Sequence, residues 1–323
     1  MQKCLLFALI VLFASFNAQA QDCPRIYTKG DTLYTDPAAQ YQWYKDNQAI
    51  SGASKQWYVP SNKGSYAVEI SAITEKFPYC QLLDSAALAQ KPEYKSMEAA
   101  INAQEVVLKL ILLAGKINSN DLMVIVDRFP CLQELDLWEN QLTNLPESFG
   151  QLRNLQTLSL AFNQLTNLPE SFGQLQNLKF LSLRNNQLTS LSESIGQLQN
   201  LNTLYISDNK LIKLPESFNQ MRNLETLDLL DNQLTGLPES FGQLQNLKTL
   251  ILLNNQLTSL PESFGQLQNL KFLNIVNNRL TSIPASIANL KDNLKTLYLN
   301  DNPIPEEEKA KIRSWLPNTT IIF

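Results

Sequence analysis

Residues 155–177 read LQTLSLAFNQLTNLPESFGQLQN, and residues 178–200 follow as LKFLSLRNNQLTSLSESIGQLQN. The two strings align without a gap, with leucine at positions 1, 4, 6, 11, 14 and 21 and asparagine at position 9. Working outward, the 23-residue period starts at Leu132 and recurs at Leu155, Leu178, Leu201, Leu224, Leu247 and Leu270. An eighth unit begins at Leu294, one residue late because of the insertion around Lys291, Asp292 and Asn293. A degenerate unit precedes them, traced through Val107, Leu110, Leu112 and Ile117, with Gly115 at the asparagine position.

Each fixed position has a physical reason. Leucines at positions 4 and 6 share one face of a short strand, because alternate residues point the same way. Strands of successive units are expected to pair in parallel. The column of Asn140, Asn163, Asn186, Asn209, Asn232, Asn255, Asn278 and Asn302 falls where the chain leaves the strand. A buried amide there satisfies backbone groups that the bend strips of partners. Phe149, Phe172, Ile195, Phe218, Phe241, Phe264 and Ile287 form an apolar spine on the opposite side. Gly150, Gly173, Gly196, Gly242 and Gly265 follow the spine, with Asn219 in the same column. Glycine and asparagine tolerate positive φ best, which predicts a left-handed residue in this column and a different local turn at Ala288. No unit buries its own apolar side, so the units must stack and the stack needs lids. Pro305 to Leu316 reads as a closing helix, acidic at its start and basic later, with Ile312, Trp315 and Leu316 covering the last unit. Thr319 to Phe323 adds a final strand, and Ser96 to Gln104 a short helix at the front.

The pattern resembles the leucine-rich-repeat family in its 23-residue variety, over about two thirds of the chain. The resemblance implies an α/β class, right-handed solenoid with a parallel sheet on its concave face. The expected organisation is a signal peptide at 1–20, an all-β module at 21–84 and a linker at 85–95. An N-terminal cap with the degenerate repeat follows at 96–131, then the repeats at 132–304 and a C-terminal cap at 305–323. Within 21–84, Tyr41 to Tyr44 and Gly64 to Val68 resemble two strands of an immunoglobulin-like sandwich. That likeness, to modules of exported bacterial proteins, implies Trp43 as the core indole and Tyr66 as the corner tyrosine. Leu33 and Val68 stand in for the usual inter-sheet cysteines.

Lys3, the apolar run Cys4 to Phe16 and the triplet Ala18, Gln19 and Ala20 have the form of a cleavable leader, with Gln21 the first mature residue. About 13 apolar residues are too few to span a bilayer. Export to the periplasm or beyond is expected, and it permits disulfides. Cys23 and Cys80 bracket the small module and are the natural pair; Cys131 is left over as a small buried residue.

Formal charge is −4, with 26 basic and 30 acidic residues, which disfavours nucleic acid. The chain has no histidine, so the usual general base, metal ligand and nucleophile activator are missing. No phosphate loop or paired-cysteine motif is present. Asp208, Asp228 and Asp231 fall near one another and are read as solvated acids, with a calcium site the alternative. The reading is therefore a monomeric, non-enzymatic protein with no catalytic residues, no metal and no cofactor.

What varies is informative. Positions 2, 3, 5, 7 and 8 are expected to point out from the concave face, and they change from unit to unit. The convex glutamates at 147, 170, 193, 216, 239 and 262 do not change, although they too are expected to be exposed. The concave set includes Trp138, Phe162, Phe180, Tyr205, Leu230, Ile251, Leu253, Phe272, Val276 and Tyr298, with Arg184 and Asp228 among them. Exposed aromatic and aliphatic clusters rimmed by polar groups mark a protein or peptide partner. A structural spacer of the cell envelope is the second reading, and glycan binding by the aromatics the third.

Overall fold

The computed structural model describes residues 85–323 other than 104–106, 114 and 116, and before residue 85 only the backbone of short strands. The chain divides into two units, 1–81 and 82–323. In the first, Gln40–Lys45 runs antiparallel to Ser65–Ser71, with Trp43 opposite Val68. Ile26–Lys29 pairs with Thr32–Thr35, which pairs with Trp57–Tyr58. A two-residue strand, Ala8–Leu9, within the expected leader, borders Ser65 and Tyr66. The sandwich packing, the roles of Trp43 and Tyr66, and the Cys23–Cys80 pair lie outside the described residues. Cys131 is buried and disulfide-bonded, so it is not the unpaired residue expected; its partner also lies outside them.

The second unit is built on one 11-stranded parallel sheet whose order is the order of the chain. It begins with Glu93–Tyr94 and Lys109–Ile111 and ends with Thr296–Tyr298 and Thr320–Ile322. Leu135, Leu158, Leu181, Leu204, Leu227, Leu250, Leu273 and Leu297 stand in register across eight strands. Each is at most 1% exposed. Every such leucine contributes roughly 1.5–3 kcal/mol by leaving water, and only the next unit supplies the cover. Residues 85–95 are not a plain linker: they hold helix Ser85–Ala89 and the edge strand Glu93–Tyr94. Lys109 ties that edge down, its Nζ 3.4 Å from both Glu93 and Glu134.

Between strands the chain returns through one-turn 3₁₀ helices such as Glu147–Gln151 and Glu170–Gln174. The degenerate unit instead uses helix Ser119–Arg128, started by a reciprocal Asn118–Asp121 capping box. Behind the sheet the phenylalanine spine is fully buried, and Phe149 stacks on Phe172 with ring centroids 6.3 Å apart.

The left-handed residue is not the glycine. Gly150, Gly173, Gly196, Gly242 and Gly265 all have negative or extended φ; the positive values recur at position 8, one residue before the buried asparagine, with Gln141 and Gly115 as further cases at the front. Six of its eight occupants are Asn or Asp, the side chains that best accept this conformation. The glycines answer to a different demand. A Cβ on Gly150 would collide with the Ser171 carbonyl of the next turn, and one on Gly242 with that of Ser263. Where the column holds Asn219, the following turn gives way: it shortens to Phe241–Gln243. The inter-turn bond from the Ser240 hydroxyl to the Glu216 carbonyl lengthens to 3.5 Å, against 2.7 Å for the equivalent Ser217–Glu193 bond. Ala288 keeps the common 3₁₀ turn, Ala285–Leu290, and not the different local turn expected there.

The unchanging glutamates also have a structural task. Glu147 accepts from the Ser171 backbone N–H at 3.3 Å, and Glu193 from that of Ser217 at 2.9 Å. Glu170 and Glu216 accept from the hydroxyls of Ser192 and Ser240. Hydrogen bonding by Ser217, its side chain first and its backbone N–H second, holds the Glu193 carboxyl below the ordinary glutamate range. Four of the six glutamates thus hold the next turn by a hydrogen bond, which gives their constancy a structural cause.

At the far end, Glu306–Trp315 forms the expected lid, with Ile312 and Leu316 buried on the last unit. Strand Thr320–Ile322 then closes the sheet.

Candidate binding face

Positions 3, 5, 7 and 8 project from the open face of the sheet, the side expected to be concave. Position 2 does not do so at the front: Gln133 and Gln156 are buried, and Gln156 Nε2 donates a 3.0 Å hydrogen bond to Gln133 Oε1. The face is shaped by how neighbouring strands bring side chains together at the inter-strand spacing. Trp138 and Phe162 meet edge to face with centroids 5.5 Å apart, and are 36% and 46% exposed. Phe180 meets Tyr205 at 5.5 Å and 82°, and Phe272 meets Tyr298 at 5.7 Å. These four, with Leu230, Ile251, Leu253 and Val276, are half-buried, because each leans on its neighbour along the sheet. Part of the apolar area is thus spent on stiffening the face, and part stays open.

Arg184 and Asp228 come together across two inter-strand steps. The guanidinium lies 4.3 Å from the centre of the Tyr205 ring, and its Nη2 donates to Asp228 Oδ2. Asp228 Oδ1 accepts from the Leu230 backbone N–H at 3.1 Å. Asp228 is therefore a buried anchor, 1% exposed, and not the open contact expected from its position. The Arg184 side chain remains 43% exposed, and its Nε has no hydrogen-bond partner among the described residues. Ser207, buried at 1%, and Ser182, at 7%, also occupy this face. A sequence hint exists for them: small residues at positions 5 and 7 make room for a long side chain crossing from an adjacent unit.

The same Asx contact recurs elsewhere. Asp136 Oδ1 accepts from the Trp138 N–H and Asn274 Oδ1 from the Val276 N–H, each at 3.1 Å. Asp or Asn at position 5 so fixes the backbone beneath the residue at position 7. Asp208, Asp228 and Asp231 do not converge: Asp228 is committed to Arg184, and Asp231 accepts from Asn254 Nδ2 at 2.6 Å. Among the described residues no group of three or more acidic, histidine or cysteine side chains is placed to hold a metal. Among the same residues no helix is long and apolar enough to cross a membrane.

Family models match this region. A leucine-rich-repeat model covers residues 130–188 and 222–280, and a leucine-rich-repeat region model covers 172–250. Residues 130–280 are thus leucine-rich repeats. Among solved structures, the chain is similar to the leucine-rich-repeat ectodomain of the plant membrane receptor kinase GASSHO1/SCHENGEN3 from Arabidopsis thaliana, in complex with Casparian strip integrity factor 2. The identity is 33% over 62% of this chain, with a TM-score of 0.54. The match spans 25% of that ectodomain's length. A leucine-rich-repeat protein of Leptospira interrogans matches over 72% of this chain and 100% of its own, at 26% identity and a TM-score of 0.36. No curated protein matches the sequence.

Proposed function

We propose that this leucine-rich-repeat array binds a protein or peptide through the open face of its sheet and performs no covalent chemistry. The observation that carries the reading is the run of apolar and aromatic side chains left on that face, from Trp138 and Phe162 at one end to Phe272 and Tyr298 at the other. The strands that carry this run, from Glu134–Asp136 to Thr296–Tyr298, lie at ~4.8 Å spacing and give a strip roughly 35 Å long, enough for an ordinary interface. The plant ectodomain, itself in complex with a partner, is consistent with this use of the fold. Fold alone does not select a partner, so the ligand must be argued from the site.

The finer parts of the reading belong to the same proposal: a cleaved leader at 1–20, export, an immunoglobulin-like module at 21–84, and a monomeric state. The capping role of the convex glutamates removes one support for diversification of the open face, since those residues are held constant by the stack. The spacer reading gains from this and makes an opposite prediction.

The discriminating experiment is affinity capture from envelope and culture-fluid extracts with the parent protein and a Leu230→Glu/Ile251→Lys double variant. The variant is first matched to the parent by circular dichroism and melting temperature. A partner held by the parent and lost by the folded variant is the expected result. Equal capture by both would sink the open-face reading in favour of the spacer.

A further inference from the structure

The open face carries two edge-to-face ring pairs with carboxylates nearby, one with a cation in place and one without. In the third to fifth units, Phe180 and Tyr205 meet edge to face, the Arg184 guanidinium lies over Tyr205, and Asp228 neutralises it. In the first two units, Trp138 and Phe162 meet edge to face at the same 5.5 Å separation. Asp136 accepts a hydrogen bond from the Trp138 N–H, and Glu139 follows Trp138 directly. Glu139 shares the position-8 column with Phe162 in adjacent units. Side chains of that column reach one another, as the 2.9 Å bond from Asn277 Nδ2 to Asn254 Oδ1 shows.

Two features separate this pair from the filled one. Its rings are the more exposed, and among the described residues no cation lies over either ring and no cationic side chain pairs with Asp136 or Glu139. The nearby Lys109 is buried and already held between Glu93 and Glu134. Positions 3, 5, 7 and 8 of the first two units hold three carboxylates, at Glu134, Asp136 and Glu139, and no basic residue. Aromatic faces attract cations through their quadrupole, and a carboxylate beside them adds Coulombic attraction.

We infer that Trp138 and Phe162, with Asp136 and Glu139, form a subsite for a cationic side chain of the partner, arginine being the form already seated on Tyr205. The inference rests on the reading that the open face binds a protein or peptide, and it names the chemistry of one end of that ligand. A neutral apolar ligand would leave Asp136 and Glu139 without a counter-charge. An acidic one would be repelled by them.

The test uses the full protein labelled with 5-fluorotryptophan, with the Trp138 fluorine resonance assigned by its loss in Trp138→Phe. The probe is blocked arginine, Nα-acetyl-arginine methylamide, against its neutral isostere, blocked citrulline. A saturable shift of the Trp138 resonance with arginine but not citrulline is expected. Phe162→Asn and Glu139→Gln should each weaken the arginine response about two- to five-fold. Asparagine suits the left-handed backbone at 162, so that variant should melt no lower than the parent, which separates lost binding from lost folding. Ile251→Lys, four units away along the sheet, should leave the response intact. An absent shift, or an equal one with citrulline, overturns the inference. If partner capture depends on Leu230 and Ile251 while arginine gives no shift, only the subsite falls. If arginine shifts Trp138 while capture ignores the open-face variant, the broader reading falls and the subsite stands.

Discussion

Where the chain leaves each strand, one backbone N–H and several carbonyls turn inward with no ladder partner, and the position-9 asparagine meets them all. Asn209 shows the pattern: its Oδ1 accepts from the Leu188 N–H at 3.0 Å, and its Nδ2 donates to the carbonyls of Leu183, Ile206 and Ser207. Two of these contacts, those to Leu188 and Leu183, join two units, so the amide is both a bend filler and a rivet. Asn209→Ala leaves buried polar groups unpaired, each costing ~1–3 kcal/mol. Urea unfolding should therefore show a loss of about 3 kcal/mol. Asn177→Ala, at a half-buried position where Nδ2 donates to the Arg153 carbonyl in a solvent-exposed bond, should cost under ~1 kcal/mol. Comparable losses would show that burial of the column is not what matters. The amide's role was legible from sequence, because a polar residue fixed within a leucine pattern must be bonded to something. The left-handed residue was not: Glu139 and Phe162 break the Asn/Asp preference of position 8, and the glycine column offered a more obvious host.

Glycine at position 19 becomes intelligible only when two 3₁₀ turns are placed side by side, which no single unit can reveal. The backbone there has ordinary φ, so conformational freedom is irrelevant, and the constraint is the carbonyl of the serine in the next turn. Gly242→Ala must push the turn at Ser263 away or distort its own, at a cost of about 1–3 kcal/mol. Gly236→Ala meets nothing within 4 Å and has no positive φ to lose. It should be neutral or more stable by roughly 0.4–1 kcal/mol, through the unfolded chain. Paired thermal melts check the contrast, and equal destabilisation by both would refute the crowding account. Asn219 is a natural version of the experiment, since the turn after it is shorter and its serine bond longer. The convex glutamates teach a related lesson: a residue that looks exposed and idle in one unit is a cap for its neighbour. Their constancy was visible in the sequence, but its cause was a contact 24 residues away.

At the scale of the whole array, stability comes from interfaces between units, and each interface is satisfied only if another unit or a lid lies beyond it. The repeat period announced this architecture plainly, because leucine spacing dictates strand, turn and stack together. It said less about the open face, where neighbouring side chains lean on one another and Asp228 sinks beneath Arg184. The lid at the far end tests the one-dimensional logic. Ile312 is fully buried on the eighth unit, so Ile312→Ala opens a cavity worth about 2–4 kcal/mol where the stack ends. In a globular core that loss would be shared by every residue that unfolds cooperatively. In a stack of nearest-neighbour interfaces it should appear as fraying: amides of Leu297, Leu299 and Leu273 exchange faster, while Leu135 and Leu158 keep their protection. Native-state hydrogen exchange resolves the two outcomes. Uniform loss of protection from Leu135 to Leu297 would mean that the eight units fold as a single block, and that a ligand gripping one end of the open face would stabilise the other end as strongly as its own.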